Sequence, residues 1–372
     1  MRQITMFIGL LGGLTFVLVF AGSLLLHEFG HFFVARLLHI EVEEFGIGFP
    51  PRLAKLFRWK GTDFTLNWIP LGGFNRIKGE DDPSVPGGMA AANPWKRILV
   101  LLAGAGMNIF TAFLAFTLYF SQTGLPDTKT VQIAGVMPAS PAQQAGFQVG
   151  DQVLAIASQA VTNIQEMRSY THAHLDQPLA VKVKRGTQEL TLTVTPLSSR
   201  TDQQGAMGVL LSNPIRPVSS WFETLPISFE ATGGAIGDLL SLPGRVLAGT
   251  LPAQDAQLAG PRSIWDLFQQ AVARDVQSRE QPQTGATAQP PTNYTLSVII
   301  SLTLSLGVIN LLPIPALDGG RIFMILPELL LRRRIPVRYQ NMINGIGFIV
   351  LVTLLGFFYI KDIINPVTFN LP

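Results

Sequence analysis

His27-Glu28-Phe29-Gly30-His31 is the stretch of this chain whose residue types and spacing are ready to do chemistry. On an α-helix, histidines four residues apart project from one face. Two such imidazoles can hold one zinc ion at about 2.0–2.1 Å each, while Glu28 approaches a zinc-bound water as general base. The competing picture is a polar helix end where two histidines happen to face water. The chain has only five histidines, so two at ligand spacing around a glutamate are hard to ascribe to chance. The motif also lies inside an apolar run rather than beside one. Ionisable side chains cost about 2.5–3.5 kcal/mol in hydrocarbon on insertion scales, and function is the usual reason for keeping them.

With no cysteine in the chain, disulfides and thiolate chemistry are excluded, and a metal here must use histidine and carboxylate. Asp318 is the candidate third ligand. It follows Asn310-Leu311-Leu312-Pro313-Ile314-Pro315-Ala316-Leu317, in which two prolines halt a regular helix. Two histidines and one aspartate make a three-ligand catalytic zinc site with a fourth position open to water. The alternative for Asp318 is an N-cap on a helix beginning near Arg321.

The elements that must position these residues belong in a bilayer. Charged residues make up 14% of the chain, against about 25% in an ordinary soluble domain. Four apolar blocks could each cross a core about 30 Å thick: 4–38, which contains the motif, 98–120, 294–312 and 342–360. The first is too long for the apolar region of a secretory signal and continues through the motif, so it is expected to be a retained transmembrane helix. A net charge of +3, with no basic stripe interleaved with aromatics, argues against nucleic acid as a partner.

Nine Lys or Arg residues lie between Arg36 and Arg97 and five between Arg321 and Arg338, while the two ends show only Arg2 and Lys361. The positive-inside rule then puts both short loops in the cytoplasm, and both termini and the long middle section outside. The first and third crossings run inward in that topology. His27, about 36 Å along its helix at 1.5 Å per residue, and Asp318 reach similar depths near the cytoplasmic side.

Between the first two crossings, Phe45–Pro51 and Phe64–Phe74 combine large apolar residues with Pro and Gly-Gly stops. They suit either a short β hairpin dipping toward the membrane or a loop lying on the headgroups. Residues 130–197 alternate short strands and turns, including a period-two hairpin about Gly186. Ser140-Pro141-Ala142 through Ala145-Gly146, followed by Gly150-Asp151, resembles a PDZ domain, a module that accepts a peptide as an added strand or merely blocks access. His172 and His174 lie there without a carboxylate at motif spacing and are expected on the surface. Two amphipathic helices are expected over 221–251 and 261–276, and 279–292 reads as a flexible linker.

The expected architecture is a polytopic α-helical membrane protein of about four transmembrane helices, with a membrane-associated β hairpin and an extracytoplasmic α+β PDZ-like domain. Its parts are 1–125 (first membrane half), 126–200 (PDZ-like), 201–293 (amphipathic helices and linker) and 294–372 (second membrane half).

Taken together, H-E-F-G-H in the first crossing, the PDZ-like insert after the second, and N-L-L-P-I-P-A-L-D-G-G ending the third resemble the bacterial RseP-type site-2 proteases along nearly the full chain. Pro70-Leu71-Gly72-Gly73-Phe74 and Gly260-Pro261 add to the match. The resemblance implies intramembrane zinc proteolysis in the bacterial inner membrane, with His27, His31 and Asp318 as ligands and Glu28 as base. It implies that Asn310 contacts the substrate backbone, and that the partners are the lipid bilayer and a transmembrane protein such as an anti-sigma factor or a signal-peptide remnant. Two features depart from the family. Gly104-Ala105-Gly106-Met107-Asn108 lacks the proline usual in the second crossing, and one PDZ-like module is recognisable where the best-known members carry two. A catalytically inactive scaffold presenting its module, or a zinc or proton transporter using the same ligands, are the competing functions. The scaffold leaves the intramembrane His, Glu and Asp without a task, and the second and fourth crossings offer a transporter few charged residues for a polar route.

Overall fold

The computed structural model describes residues 2–199, 205–250, 260–280 and 292–367. The expected linker falls mostly at 281–291, outside the described residues. The chain divides into two compact units.

The first unit begins with α1 (Arg2–Leu37), followed by a hairpin of β1 (Val42–Trp59) and β2 (Thr62–Ile77), then α2 (Pro94–Thr123). The hairpin is much longer than its sequence suggests. Trp59 pairs with Thr62 across Lys60-Gly61, both at positive φ (46° and 89°), as a two-residue primed turn requires. The strands then double back, so that Glu44–Ile47 lie against Gly73–Arg76 on one side and Asp63–Leu66 on the other.

The second unit carries a small antiparallel sheet. It includes β3 (Leu125–Pro126), β4 (Val131–Val136), α3 (Pro141–Gln144), β5 (Gln152–Ile156), β6 (Gln159–Ala160), α4 (Ile164–Ala173), β7 (Leu179–Arg185), β8 (Gln188–Val194), β9 (Val209–Ser212) and β10 (Ile215–Arg216). The main sheet runs β8-β7-β5-β4-β9, with β6 added to β5 and β3 paired with β10. Its core is conventional: the inward residues of β7, Leu179, Val181 and Val183, meet Val131, Ile133, Val153 and Met167. The β7–β8 hairpin turns at Gly186, as its alternation predicts. The sheet also takes an edge strand, β9, from beyond residue 200. His174 Nδ1 donates to the Tyr170 carbonyl at 2.9 Å.

After a 3₁₀ turn (Trp221–Glu223) come α5 (Thr224–Leu247), α6 (Pro261–Glu280), α7 (Tyr294–Leu311), α8 (Asp318–Leu331) and α9 (Val337–Ile364). Among the described residues, four helices are long and apolar enough to cross a membrane: α1 from Gly9 onward, α2, α7 and α9. They leave large side chains such as Leu10, Leu18, Ile349 and Phe357 bare, a surface that suits lipid rather than water.

Polar crosslinks join these helices. The Asp362 carboxylate, on α9, accepts from the backbone N–H of Arg262 (2.8 Å) and Ser263 (3.0 Å), capping the start of α6. Asp275, on α6, accepts from the N–H groups of Tyr294 (2.8 Å) and Thr295 (2.9 Å), capping α7 in turn. A carboxylate at a helix N-terminus satisfies orphan donors and opposes the positive end of the dipole. The buried hydroxyls of Ser23 and Thr303, 3.3 Å apart, join α1 to α7 one turn before His27.

Candidate metal centre

Each side chain of the motif is placed by a different neighbour. His27 and His31 lie on the buried face of α1. His31 Nδ1 donates to the Val100 carbonyl of α2 at 2.7 Å, which leaves Nε2 with its lone pair free to bind a metal. The backbone of α2 comes close enough that a side chain at Gly104 would overlap both imidazoles. α2 is one unbroken helix through Gly104–Asn108, so the missing family proline leaves a regular backbone there.

Asp318 arrives from the other side of the unit. α7 ends at Leu311, Pro313 and Pro315 prevent its continuation, and α8 starts at Asp318. Leu317 holds the N-cap position, so Asp318 is the first residue of the helix and not its cap. Gly319 lets this turn fold tightly under the loop, since a side chain there would collide with the carbonyls of Leu311 and Leu312. Two ion pairs hold α8 in place: Arg321 with Glu80, and Arg97 with Glu328 at 2.7 Å.

The result is a triangle of donor atoms. His27 Nε2 and His31 Nε2 are 3.1 Å apart, and Asp318 Oδ2 is 3.1 Å from the first and 3.3 Å from the second. Ligands about 2.0–2.1 Å from a tetrahedral metal are separated by roughly 3.3 Å, so the triangle has the size such a site needs. Asp318 Oδ2 is buried without a hydrogen-bond partner. An acceptor left in that state is costly unless a cation satisfies it. His27, His31 and Asp318 therefore fit zinc in both donor chemistry and spacing.

Glu28 shares a cavity of about 290 Å³ with these three residues, Asn310 and Arg321. The Asn75 amide, on β2, donates to Glu28 Oε2 at 3.0 Å and also to the Glu28 main-chain carbonyl. Asn75 is a site residue that the sequence did not single out. It is 47 positions from Glu28 and no motif marks it; only the doubled-back hairpin brings it there. Arg321 and the Val100 carbonyl were likewise not singled out as site residues, since neither belongs to the ligand motif.

The comparisons with known proteins bear on this geometry. The family model described as "Peptidase family M50" matches residues 15–354. The chain belongs to peptidase family M50. A candidate zinc metalloprotease of Clostridium perfringens is 32% identical over 94% of this chain and 98% of its own. Another, of Campylobacter jejuni, is 29% identical over 93% of this chain and 92% of its own. Among solved structures, the PDZ domain of the SdrC-like protein from Listeria monocytogenes covers 22% of this chain and 87% of its own, at 19% identity and a TM-score of 0.21. This M50 protein is thus a membrane-embedded, site-2 type zinc metalloprotease.

Proposed function

We propose that this M50 peptidase cuts transmembrane segments of single-span membrane proteins near the cytoplasmic side of the bacterial inner membrane. Its zinc would be held by His27, His31 and Asp318, with Glu28 as general base. The observation that carries this is one buried triangle of donor atoms sharing a cavity with a glutamate whose carboxylate is hydrogen-bonded by Asn75.

What zinc supplies when held there is Lewis acidity toward a water and toward the scissile carbonyl. Glu28 takes the proton from the attacking water and later returns it to the leaving amine. Asn75 orients the carboxylate for both transfers. Val100 fixes the ring plane and tautomer of His31. A transmembrane helix hides its carbonyls in its own hydrogen bonds, so the substrate must be unwound locally before attack. Gly73–Asn75, which line the same cavity, would hold the unwound segment as an added strand, and Asn310 would contact its backbone.

The distribution of Lys and Arg supports cytoplasmic short loops, with termini and a PDZ-like module outside. The deciding experiment compares wild type with Glu28→Gln on reconstituted single-span substrates. The variant should retain zinc and fold while cleavage falls about 10²–10⁴-fold. Unchanged turnover would remove Glu28 from the role of base.

A further inference from the structure

The hairpin and the end of α1 border an open groove, of about 620 Å³, that the proteolytic site does not use. Its walls are aromatic: Phe29 and Phe33 from α1, Phe57, Trp59 and Phe64 from the hairpin. Phe57 and Phe64 stack at 4.5 Å, while Phe33, Phe57 and Trp59 are about half exposed. The volume lies within the range of about 300–1,000 Å³ typical of ligand pockets. Two cations, Arg36 and Lys60, also line it.

Those cations differ from their neighbours. Arg52 and Arg76 pair with Glu44 at 2.6 and 3.2 Å, Lys55 and Arg58 with Asp63 at 2.7 and 3.3 Å, and Lys78 with Glu41 at 2.8 Å. Arg36 and Lys60 have no carboxylate within ion-pair distance among the described residues, and Lys60 lies over the Trp59 ring at 4.9 Å. Arg36, at the end of α1, and Lys60, at the hairpin turn, are thus the cations of this region that border the apolar groove without an ion pair, although both also edge a cavity lined by Glu41, Glu43, Glu44 and Asp63. We infer that this groove is a binding site for an anionic phospholipid, with an acyl chain against the aromatic walls and the phosphate on Arg36 and Lys60. The apolar wall demands a hydrocarbon occupant, and the two unmatched cations demand a negative headgroup on it. A basic pocket beside membrane-embedded aromatics meets both demands. A zwitterionic lipid would satisfy the first alone, and a segment of substrate helix would leave the cations unmatched.

Trp59 makes the test direct. The full-length protein is reconstituted in phosphatidylcholine vesicles containing increasing fractions of lipid brominated on its acyl chains, either phosphatidylglycerol or phosphatidylcholine. The Trp59 signal is the difference between wild type and Trp59→Phe. Half-maximal quenching should need about thirtyfold less brominated phosphatidylglycerol than brominated phosphatidylcholine, the enrichment expected of two near-surface cations. R36Q/K60Q should bring the two lipids within about twofold, and R36K/K60R should restore the preference. Zinc content and cleavage retained in R36Q/K60Q would show that its fold is intact. Equal quenching by both lipids in wild type would overturn the inference, as would a preference that survives R36Q/K60Q. Displacement of the quenching lipid by a single-span substrate peptide at its working concentration would assign the groove to substrate instead, and would also overturn it.

Discussion

The two units of this chain are held together by different forces. The sheet unit has a conventional core, in which Ile133, Val153, Val181 and Val183 are almost wholly removed from solvent by strands that alternate apolar and polar residues. In the membrane unit many large apolar side chains face outward, and beside smaller apolar clusters such as that of Phe32, Phe45 and Ile98 its elements are joined by polar groups: Asp362 on the start of α6, Asp275 on the start of α7, Arg97 on Glu328, Ser23 beside Thr303. In lipid, packing one apolar surface on another gains little over contact with acyl chains, so close backbone approach and interhelical hydrogen bonds do more of the holding. This difference also bears on where the candidate metal ligands are found. A buried metal site needs charged side chains at fixed positions, and a scaffold already built on polar crosslinks provides them.

The contrast can be broken or sharpened by substitution. The largest effect is expected at the donor triangle. Asp318→Ala should abolish stoichiometric zinc and cleavage together while leaving the sheet unit folded, as checked by metal analysis and by hydrogen exchange on the full chain. Retained zinc would move Asp318 out of the coordination set.

In the sheet unit, Ile133→Ala should cost about 2–5 kcal/mol of local stability. It should appear as faster hydrogen exchange in β4, β5 and β7, with zinc content unchanged.

A smaller effect, dependent on pH, is expected at Asp151. Burial works to raise its pKa, but two hydrogen bonds from Arg185 at 2.7 Å and one from the Gln148 N–H outweigh it and hold the carboxyl below its ordinary 3.8. Because the folded-state value is the lower one, this contribution is fully present above the unfolded-state pKa and is lost as pH falls through the folded-state value. Asp151→Asn should destabilise the sheet unit by about 1.5–3 kcal/mol at neutral pH. It should also flatten the loss of stability below about pH 4, measured by hydrogen exchange at matched exposure.

The smallest effect is expected for Ser23→Ala, which removes one interhelical contact worth about 0.6 kcal/mol. A loss of several kcal/mol in detergent unfolding would mean that the α1–α7 contact carries far more of the membrane unit than this comparison allows.

Much of the site was legible in the chain because helices impose local rules. Four-residue spacing fixes the relative placement of His27 and His31 on any helix, and the apolar run around them makes that helix a membrane span. Asp318 could be assigned from the two prolines that end α7 and from the depth they imply, although its place at the first turn of α8 rather than at the cap was visible only in three dimensions. The hairpin was legible only as one of two alternatives, beside a loop on the headgroups, and its extent not at all. Its return over 73–77 depends on α1 offering Leu24 and Leu25 as a surface, which no local signal records. β9 escaped for a similar reason, since Val209–Ser212 is too short to show alternation.

By itself, then, the sequence determined the membrane character, the two histidines with their glutamate, and the identity of the carboxylate able to join them. The first two follow from composition and from periodicities that operate over a few residues, the third from the prolines that end α7 and the depth at which they end it. Only the tertiary structure decided that Asn75 would hold Glu28, that Val100 would orient His31, and that Arg36 and Lys60 would stand beside an aromatic groove with no carboxylate paired to them among the described residues. Such contacts link positions tens of residues apart, and they depend on how whole elements pack rather than on any rule that acts along the chain.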